Sequence, residues 1–288
     1  MSYRFHRILQ IIIERIKVPG KLVGVLLHLL GLYRRGLRNA HDLQYHQFDT
    51  GFEQLPEAFE GFKILILSDL HIDSDLHIIP RLCRMTSQIS SDIVVLLGDF
   101  RYRIAGDYSR VIPRMQTIID SLAPKGGIYA VRGNHDSKAL MDQMENLGVR
   151  VLDNQAVLFK QEGGILALLG VDDPHYDRTD DLPAALSGVP NEAFKILLAH
   201  TAEVYREAAD AGIQLYLCGH THGGQINLKR NVPVITNVHA PRRFVQGWWH
   251  YRSLTGYTTT GVGVSAVPVR FNCPPEIVLL TLKQLESK

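Results

Sequence analysis

The stretch Phe62-Lys-Ile-Leu-Ile-Leu-Ser-Asp-Leu-His71 decides the fold. Its first seven residues form a short, mostly apolar run with the length and side-chain type of a buried strand. The run stops on a carboxylate and an imidazole two residues apart. The same event recurs downstream. A run at 92–97 ends in Gly98-Asp99, and one at 127–131 is followed closely by Gly133-Asn134-His135-Asp136. A run at 195–199 ends in His200, and one at 213–218 in Gly219-His220-Thr221-His222-Gly223-Gly224. Residues 165–170 make a sixth strand of this kind. Amphipathic stretches at 76–90, 108–122, 137–147 and 202–211 lie between the runs, so strands alternate with helices and the core is α/β with helices outside. Residues 225–282 alternate Thr, Val and Gly with few helix formers, which reads as an antiparallel closing section ending in a strand at 277–282.

The chain has 288 residues, 45% hydrophobic and 21% charged, a balance that excludes a disordered, collagenous or disulfide-scaffold protein. Cys83, Cys218 and Cys273 lie far apart with no Cys-x-x-Cys pair, so a reduced compartment is expected. The formal net charge of +2 conceals an asymmetry. Residues 1–40 carry eight Lys/Arg against the single acid Glu14, a segment charge of +7 that leaves −5 for the rest. A basic end on an acidic body points to an anionic surface as the partner of that end.

Residues 8–32 are rich in Ile, Leu and Val, but Glu14, Arg15, Lys17 and Lys21 interrupt them, and the longest uncharged stretch falls far short of the about 20 residues that span a bilayer. Phe5, Ile8, Leu9, Ile12, Ile13 and Ile16 recur at helical spacing, and Pro19-Gly20 then breaks the pattern. No cleavage site follows, and Arg34-Arg35 stand after the apolar run rather than before it. The expectation is an amphipathic helical hairpin lying in the interface on the cytoplasmic face of the inner membrane, held by apolar burial and by attraction to anionic lipid. Packing of both helices on the globular part, or their mediating a dimer, is the alternative.

Five strand ends in order deliver carboxylate, imidazole and amide groups to the edge where α/β sheets bind ligands. Seven side chains, Asp69, His71, Asp99, Asn134, His200, His220 and His222, are ligands suited to a pair of divalent metals. Asp-x-His and His-x-His would place two donors on the same side of an extended segment. Glycines before Asp99, Asn134 and His220 suit turns where the backbone must come close to another group.

At these motifs the chain resembles the calcineurin-like metallophosphoesterases, over about residues 61–282, and Gly219-His-Thr-His-Gly-Gly-Gln225 with Val267-Pro-Val-Arg-Phe-Asn-Cys-Pro-Pro-Glu276 is most similar to one bacterial branch, often with a membrane-associated N-terminus. The resemblance implies a four-layer αββα sandwich at 59–288 behind an N-terminal amphipathic helical segment and linker at 1–58. It also implies two divalent metal ions, Mn first with Fe or Zn as alternatives. One is held by Asp69, His71, Asp99 and His222, the other by Asp99, Asn134, His200 and His220, with Asp99 bridging. Two such cations can share and activate a water for attack on phosphorus. His135 is then left to protonate the leaving group, with Asp136 orienting its imidazole. The run Gly98-Asp-Phe-Arg-Tyr-Arg103 departs from many relatives, which carry a further Asp or Asn there. Arg101 and Arg103 are candidates for substrate phosphate or, equally, for a solvated loop or an ion pair with Asp172 or Asp173. His175 and Arg178 are further candidates of the first kind.

The leading expectation is a hydrolase of phosphoesters or pyrophosphates acting on a membrane-borne phosphorylated lipid or nucleotide-lipid, such as UDP-2,3-diacylglucosamine cleaved to lipid X and UMP. A broad-specificity phosphodiesterase or envelope phosphatase is the second reading, and a binding module with a metal site the non-enzymatic one. Nucleic acid is not expected, because the chain beyond residue 40 is net negative.

Overall fold

The computed structural model describes residues 18–229, 232–233 and 238–285. The strands are β1 (Gln44–Phe52), β2 (Lys63–Leu67), β3 (Ile93–Leu96), β4 (Ile128–Ala130), β5 (Val149–Val151), β6 (Gln155–Gln161), β7 (Gly164–Gly170), β8 (Phe194–Leu198), β9 (Leu215–Cys218), β10 (Asn227–Lys229), β11 (Val232–Pro233), β12 (Gly247–Tyr251), β13 (Leu254–Thr258) and β14 (Glu276–Gln284). One six-stranded sheet runs β1-β14-β2-β3-β4-β5 and a second β12-β13-β9-β8-β7-β6. Strands β2 to β5 are mutually parallel, as are β7, β8, β9 and β13, so one edge of each sheet gathers the strand ends that carry the motifs.

Side-chain alternation sorts the strand residues into layers. Ile64, Ile66, Val95 and Leu97 of the first sheet face Leu166, Leu168, Ile196, Leu198, Leu215 and Leu217 of the second in a core between the sheets. Leu65, Leu67, Val94 and Leu96 point the other way, onto Leu82 of helix Ile79–Thr86, Met115 and Ile118 of Val111–Asp120, and Leu140 and Met144 of Lys138–Asn146. On the far side Ala167, Leu169, Leu197 and Tyr216 meet Ala185 of Leu182–Leu186 and Tyr205 and Ala208 of Tyr205–Asp210. The result is the expected four-layer αββα sandwich. The closing section is antiparallel only in part. β12 with β13, and β14 with β2, are antiparallel, whereas β13 runs parallel to β9 and β14 parallel to β1.

Strand β1 lies inside the stretch 1–58 that the sequence assigns to a segment and linker. It pairs with β14 over nine residues, from Gln44 opposite Glu276 to Phe52 opposite Gln284, so the folded unit begins before residue 59. The helix expected over residues 5–16 lies outside the described residues. Pro19-Gly20, read as its break, sits in the first turn of a helix, Val18–Leu29, where proline is tolerated because the first amides have no intrahelical partner. A second helix, Tyr33–Ala40, follows after Gly31. Among the described residues no helix is long and apolar enough to cross a membrane.

The hairpin is fixed to the body through a strap, residues 265–271. Leu27 packs with Val267 and Val269, a Cβ on Gly36 would fall 2.7 Å from Val269 and Phe271, and the Arg270 amide donates to the Gly36 carbonyl at 3.0 Å.

Candidate metal centre

Five of the seven expected ligand residues adopt left-handed backbone: Asp69 (φ 52), His71 (φ 41), Asp99 (φ 58), His220 (φ 70) and His222 (φ 49). Non-glycine residues rarely do so, and such strain concentrates at sites whose geometry is over-determined by their surroundings. The ligand pairs therefore do not share a side by lying in extended strand, as the spacing argument assumes. Each pair lies beyond the end of its strand, on a tight turn that brings the donors together.

Those turns need close backbone approach. A Cβ on Gly133 would lie 2.3 Å from both the amide nitrogen and Oδ1 of Asp99, and one on Gly219 would lie 2.0 Å from Ser68 Oγ. Ser68 in turn donates to Asp69 Oδ2 at 2.6 Å, and the His220 amide donates to the same oxygen at 3.0 Å.

The donors fall into two groups, joined by a third made of His71, Asp99 and His135. Ligand atoms of Asp69, His71 and His222 lie within 4.8 Å of one another, as do those of Asp99, His200 and His220. Asp99 Oδ2 faces both, 3.5 Å from His71 Nε2 and 3.3 Å from His200 Nε2, and Asn134 Oδ1 stands 3.1 Å from His200 Nε2. The imidazole tautomers follow from their backs. His71 Nδ1 donates to the Arg101 carbonyl (2.9 Å) and His200 Nδ1 to the Leu97 carbonyl (2.7 Å), which turns both Nε2 lone pairs inward. His71 Nε2 then meets His222 Nε2 at 3.1 Å, beside an Asp69 Oδ1 that is buried without a hydrogen-bond partner. Acceptors converging on acceptors are what a pair of cations satisfies, so all seven residues fit a dinuclear metal centre.

The electrostatics make the same demand for positive charge. Burial pushes the Asp69 carboxyl up to about 6 and His71 down to about 4. Burial also opposes charge on His200, but Asp99 overrides it and holds that imidazole up at about 10, so that a proton takes the place of a cation on its Nε2. Asp99 itself, although buried, is held well below the usual carboxylate range by His200 and then His135.

His135 reaches the centre. Its amide donates to Asp99 Oδ1 at 2.9 Å, its Nε2 lies 3.9 Å from Asp99 Oδ2, and its Nδ1 bonds the Tyr102 carbonyl. Asp136 does not orient that imidazole, contrary to the sequence expectation. Its fully buried carboxylate accepts from the amides of Asp99 (2.7 Å), Phe100 (3.0 Å) and Gly133 (3.1 Å), tying two ligand loops together. The Tyr102 carbonyl takes the orienting part. Burial and then the Asp99 charge push Asp136 up to about 7, against the pull of the Gly133 amide. Asp136→Ala would leave three buried amides unpaired, at about 1–3 kcal/mol each. Loss of at least about 3 kcal/mol of stability is expected on that count, together with weakened metal retention, read by chemical denaturation and metal analysis.

Arg101 is turned away from substrate. It is buried and donates Nε to the His135 carbonyl (3.0 Å), Nη1 to Gly106 (3.2 Å) and Nη2 to Ile104 (2.6 Å), because a guanidinium in a dry loop must spend its donors on carbonyls. Arg103 is exposed on the same loop, its amide on Asp73 Oδ2. The ion pair with Asp172 belongs to neither. Arg132 makes it, with Nε and Nη2 at 2.6 and 2.9 Å.

Sequence reasoning also missed Arg270. It is fully buried, donates to the carbonyls of Thr260 (2.8 Å), Gly261 (3.2 Å) and Gly263 (2.5 Å), and stands 3.3 Å from His222 Nδ1. The Val267-Pro-Val-Arg270 run was the only signal for it.

Comparison with known proteins agrees with the geometry. The profile of the calcineurin-like phosphoesterases matches residues 62–224. The phosphodiesterase YaeI of Escherichia coli (strain K12) is 30% identical over 77% of this chain and 82% of its own length. The metallophosphoesterase YkuE of Bacillus subtilis (strain 168) is 29% identical over 80% of this chain and 82% of its own. Among solved structures, the phosphopantetheinyl hydrolase of Mycobacterium tuberculosis covers 71% of this chain and 91% of its own at 11% identity, with a TM-score of 0.45. This chain belongs to the calcineurin-like phosphoesterase family, whose members use a dinuclear metal centre, and it is a metal-dependent phosphoester hydrolase.

Proposed function

We propose that the protein is a phosphodiesterase that works at an anionic membrane surface on a phosphorylated lipid or nucleotide-lipid, with Mn as its metal. The observation that carries the surface reading is the outer face of helix Val18–Leu29. Leu22, Val25, Leu26 and Leu29, at the i, i+3, i+4, i+7 spacing of one helix face, are all exposed, Leu29 by 80%, and Leu30 beyond the helix is exposed as well. Arg34, Arg35 and Arg38 are exposed on the neighbouring helix. Apolar side chains beside cations suit the headgroup boundary of anionic lipid, such as the cytoplasmic leaflet carries.

When bound, the two cations would be held by Asp69, His71, Asp99 and His222 and by Asp99, Asn134, His200 and His220; they supply activation of water and neutralisation of the phosphate. The chain's own part is positional and protonic. Asp99 sets the spacing of the two groups, and Asp136 holds the loops that carry Asp99 and Asn134. Because His135 Nδ1 faces a carbonyl, which only accepts, the proton exchanged with a leaving oxygen resides on Nε2. Arg103, exposed on the loop that follows Asp99, is our candidate for contact with a substrate phosphate.

Leu22→Ser/Leu26→Ser/Leu29→Ser should abolish flotation with anionic liposomes and lower the rate on vesicle-borne diester, while the rate on soluble bis(4-nitrophenyl) phosphate stays unchanged. UDP-2,3-diacylglucosamine is one substrate to assay in this way. Wild-type protein that fails to float would overturn the surface reading.

A further inference from the structure

Beside the metal centre, Pro174, Arg178, Glu203, Tyr205, Arg206 and His239 line an open cleft of about 350 Å³, within the range of small-ligand sites. A single imidazole layer separates it from the metal ligands, since the His175 ring lies 5.1 Å from that of His220 and 5.2 Å from that of His239. Four of the acids here already have donors on them. Glu203 Oε1 accepts from His175 Nδ1 at 2.5 Å and from the His239 amide at 2.8 Å. Asp172 and Asp177 are bound to Arg132, at 2.6 and 2.5 Å. Asp173 accepts from the amides of His175, Tyr176 and Asp177.

Arg178 and Arg206 have no such engagement with a carboxylate among the described contacts, so two guanidinium groups lining the cleft keep donors for a ligand. Arg206 lies over the Tyr205 ring, 5.1 Å from its centroid, which orders its guanidinium. Arg178 is exposed and sits at φ 51, a conformation glycine takes without cost, yet a guanidinium is present there.

We infer that this cleft is an anion subsite, and that the hydrolase prefers phosphodiesters carrying a second phosphate or carboxylate a few bonds from the scissile phosphorus. Guanidinium forks recognise such groups by paired hydrogen bonds. The inference rests on the hydrolase reading and names the substrate class of that site. His175, Glu203 and His239 also have the spacing of cation ligands, but two arginines lining the same cleft repel a third metal ion.

The test uses two 4-nitrophenyl alkyl phosphodiesters, one ending in a phosphate and one in a hydroxyl, with Mn-loaded full-length protein. KM for the phosphate-terminated ester should be at least about tenfold lower, equivalent to about 1.4 kcal/mol. Arg178→Ala/Arg206→Ala should erase that difference, leaving kcat, metal content and the KM of the hydroxyl ester unchanged. Calorimetric titration with propane-1,3-bisphosphonate against propylphosphonate reads the subsite without turnover and should show the same preference, lost in the double variant. Equal KM values, a preference that survives in the variant, or a third metal equivalent lost on Glu203→Gln overturns the subsite. If neither ester is hydrolysed the hydrolase reading fails, and the bisphosphonate titration still decides the subsite.

Discussion

Asp99→Ala is expected to leave a folded protein that holds neither metal ion and has no measurable phosphodiesterase activity. One oxygen of this carboxylate is 3.5 Å from a nitrogen of the first ligand group and 3.3 Å from a nitrogen of the second. Its removal takes a ligand from each cation and deletes the negative charge that lets two of them coexist at short range, where their repulsion is strongest. The fold should survive, because the carboxylate contributes to loops beyond the strand ends rather than to the apolar layers. Metal analysis of protein purified without chelator, set beside circular dichroism, separates these effects. Retention of two equivalents per chain would overturn the bridging role. Loss of one alone would assign Asp99 to a single site.

His135→Ala should give the opposite pattern. Both metals stay, and turnover of an alkyl diester falls by roughly 10²–10⁴, the usual contribution of a general acid. For a diester that releases 4-nitrophenolate, which needs little protonation, the fall should be much smaller. The comparison matters because the imidazole also packs against a metal ligand, with its ring 4.9 Å from that of His71. A disturbed metal site would slow both esters alike, whereas a lost proton donor slows only the poor leaving group. Equal losses would therefore count against proton donation.

What could be read from the sequence divides along physical lines. Strands β2, β3, β4, β8 and β9 are buried on both faces and advertise themselves as apolar runs, and each motif begins at or shortly after the point where such a run stops. β1 gave no such signal. As an edge strand with the half-exposed sequence Gln44-Tyr-His-Gln-Phe-Asp-Thr-Gly-Phe52, it owes its place to its partner β14 rather than to its own hydrophobicity. The seven candidate ligands were legible because their chemistry is carried by residue type. Asp136, Arg101 and Arg132 were misassigned or overlooked for the converse reason. Whether a charged group faces substrate or spends itself on backbone amides and carbonyls depends on loop conformation, and left-handed turns at non-glycine positions leave no trace in composition.

The strap at residues 265–271 gives the molecule a gauge. On one side it is bonded to the helical hairpin, through the Arg270 amide on Gly36 and the Asn39 side chain on the Arg270 carbonyl (3.0 Å). On the other side the Arg270 guanidinium grips the carbonyls next to Asp69 and His222. A hairpin resting on a lipid surface would through this brace hold the reactive phosphorus at one set height above it, with no swinging tether to vary the reach. Headgroups that place their phosphate at that height would be cut and shorter or longer ones passed over, so selectivity would come from elevation as well as from contact.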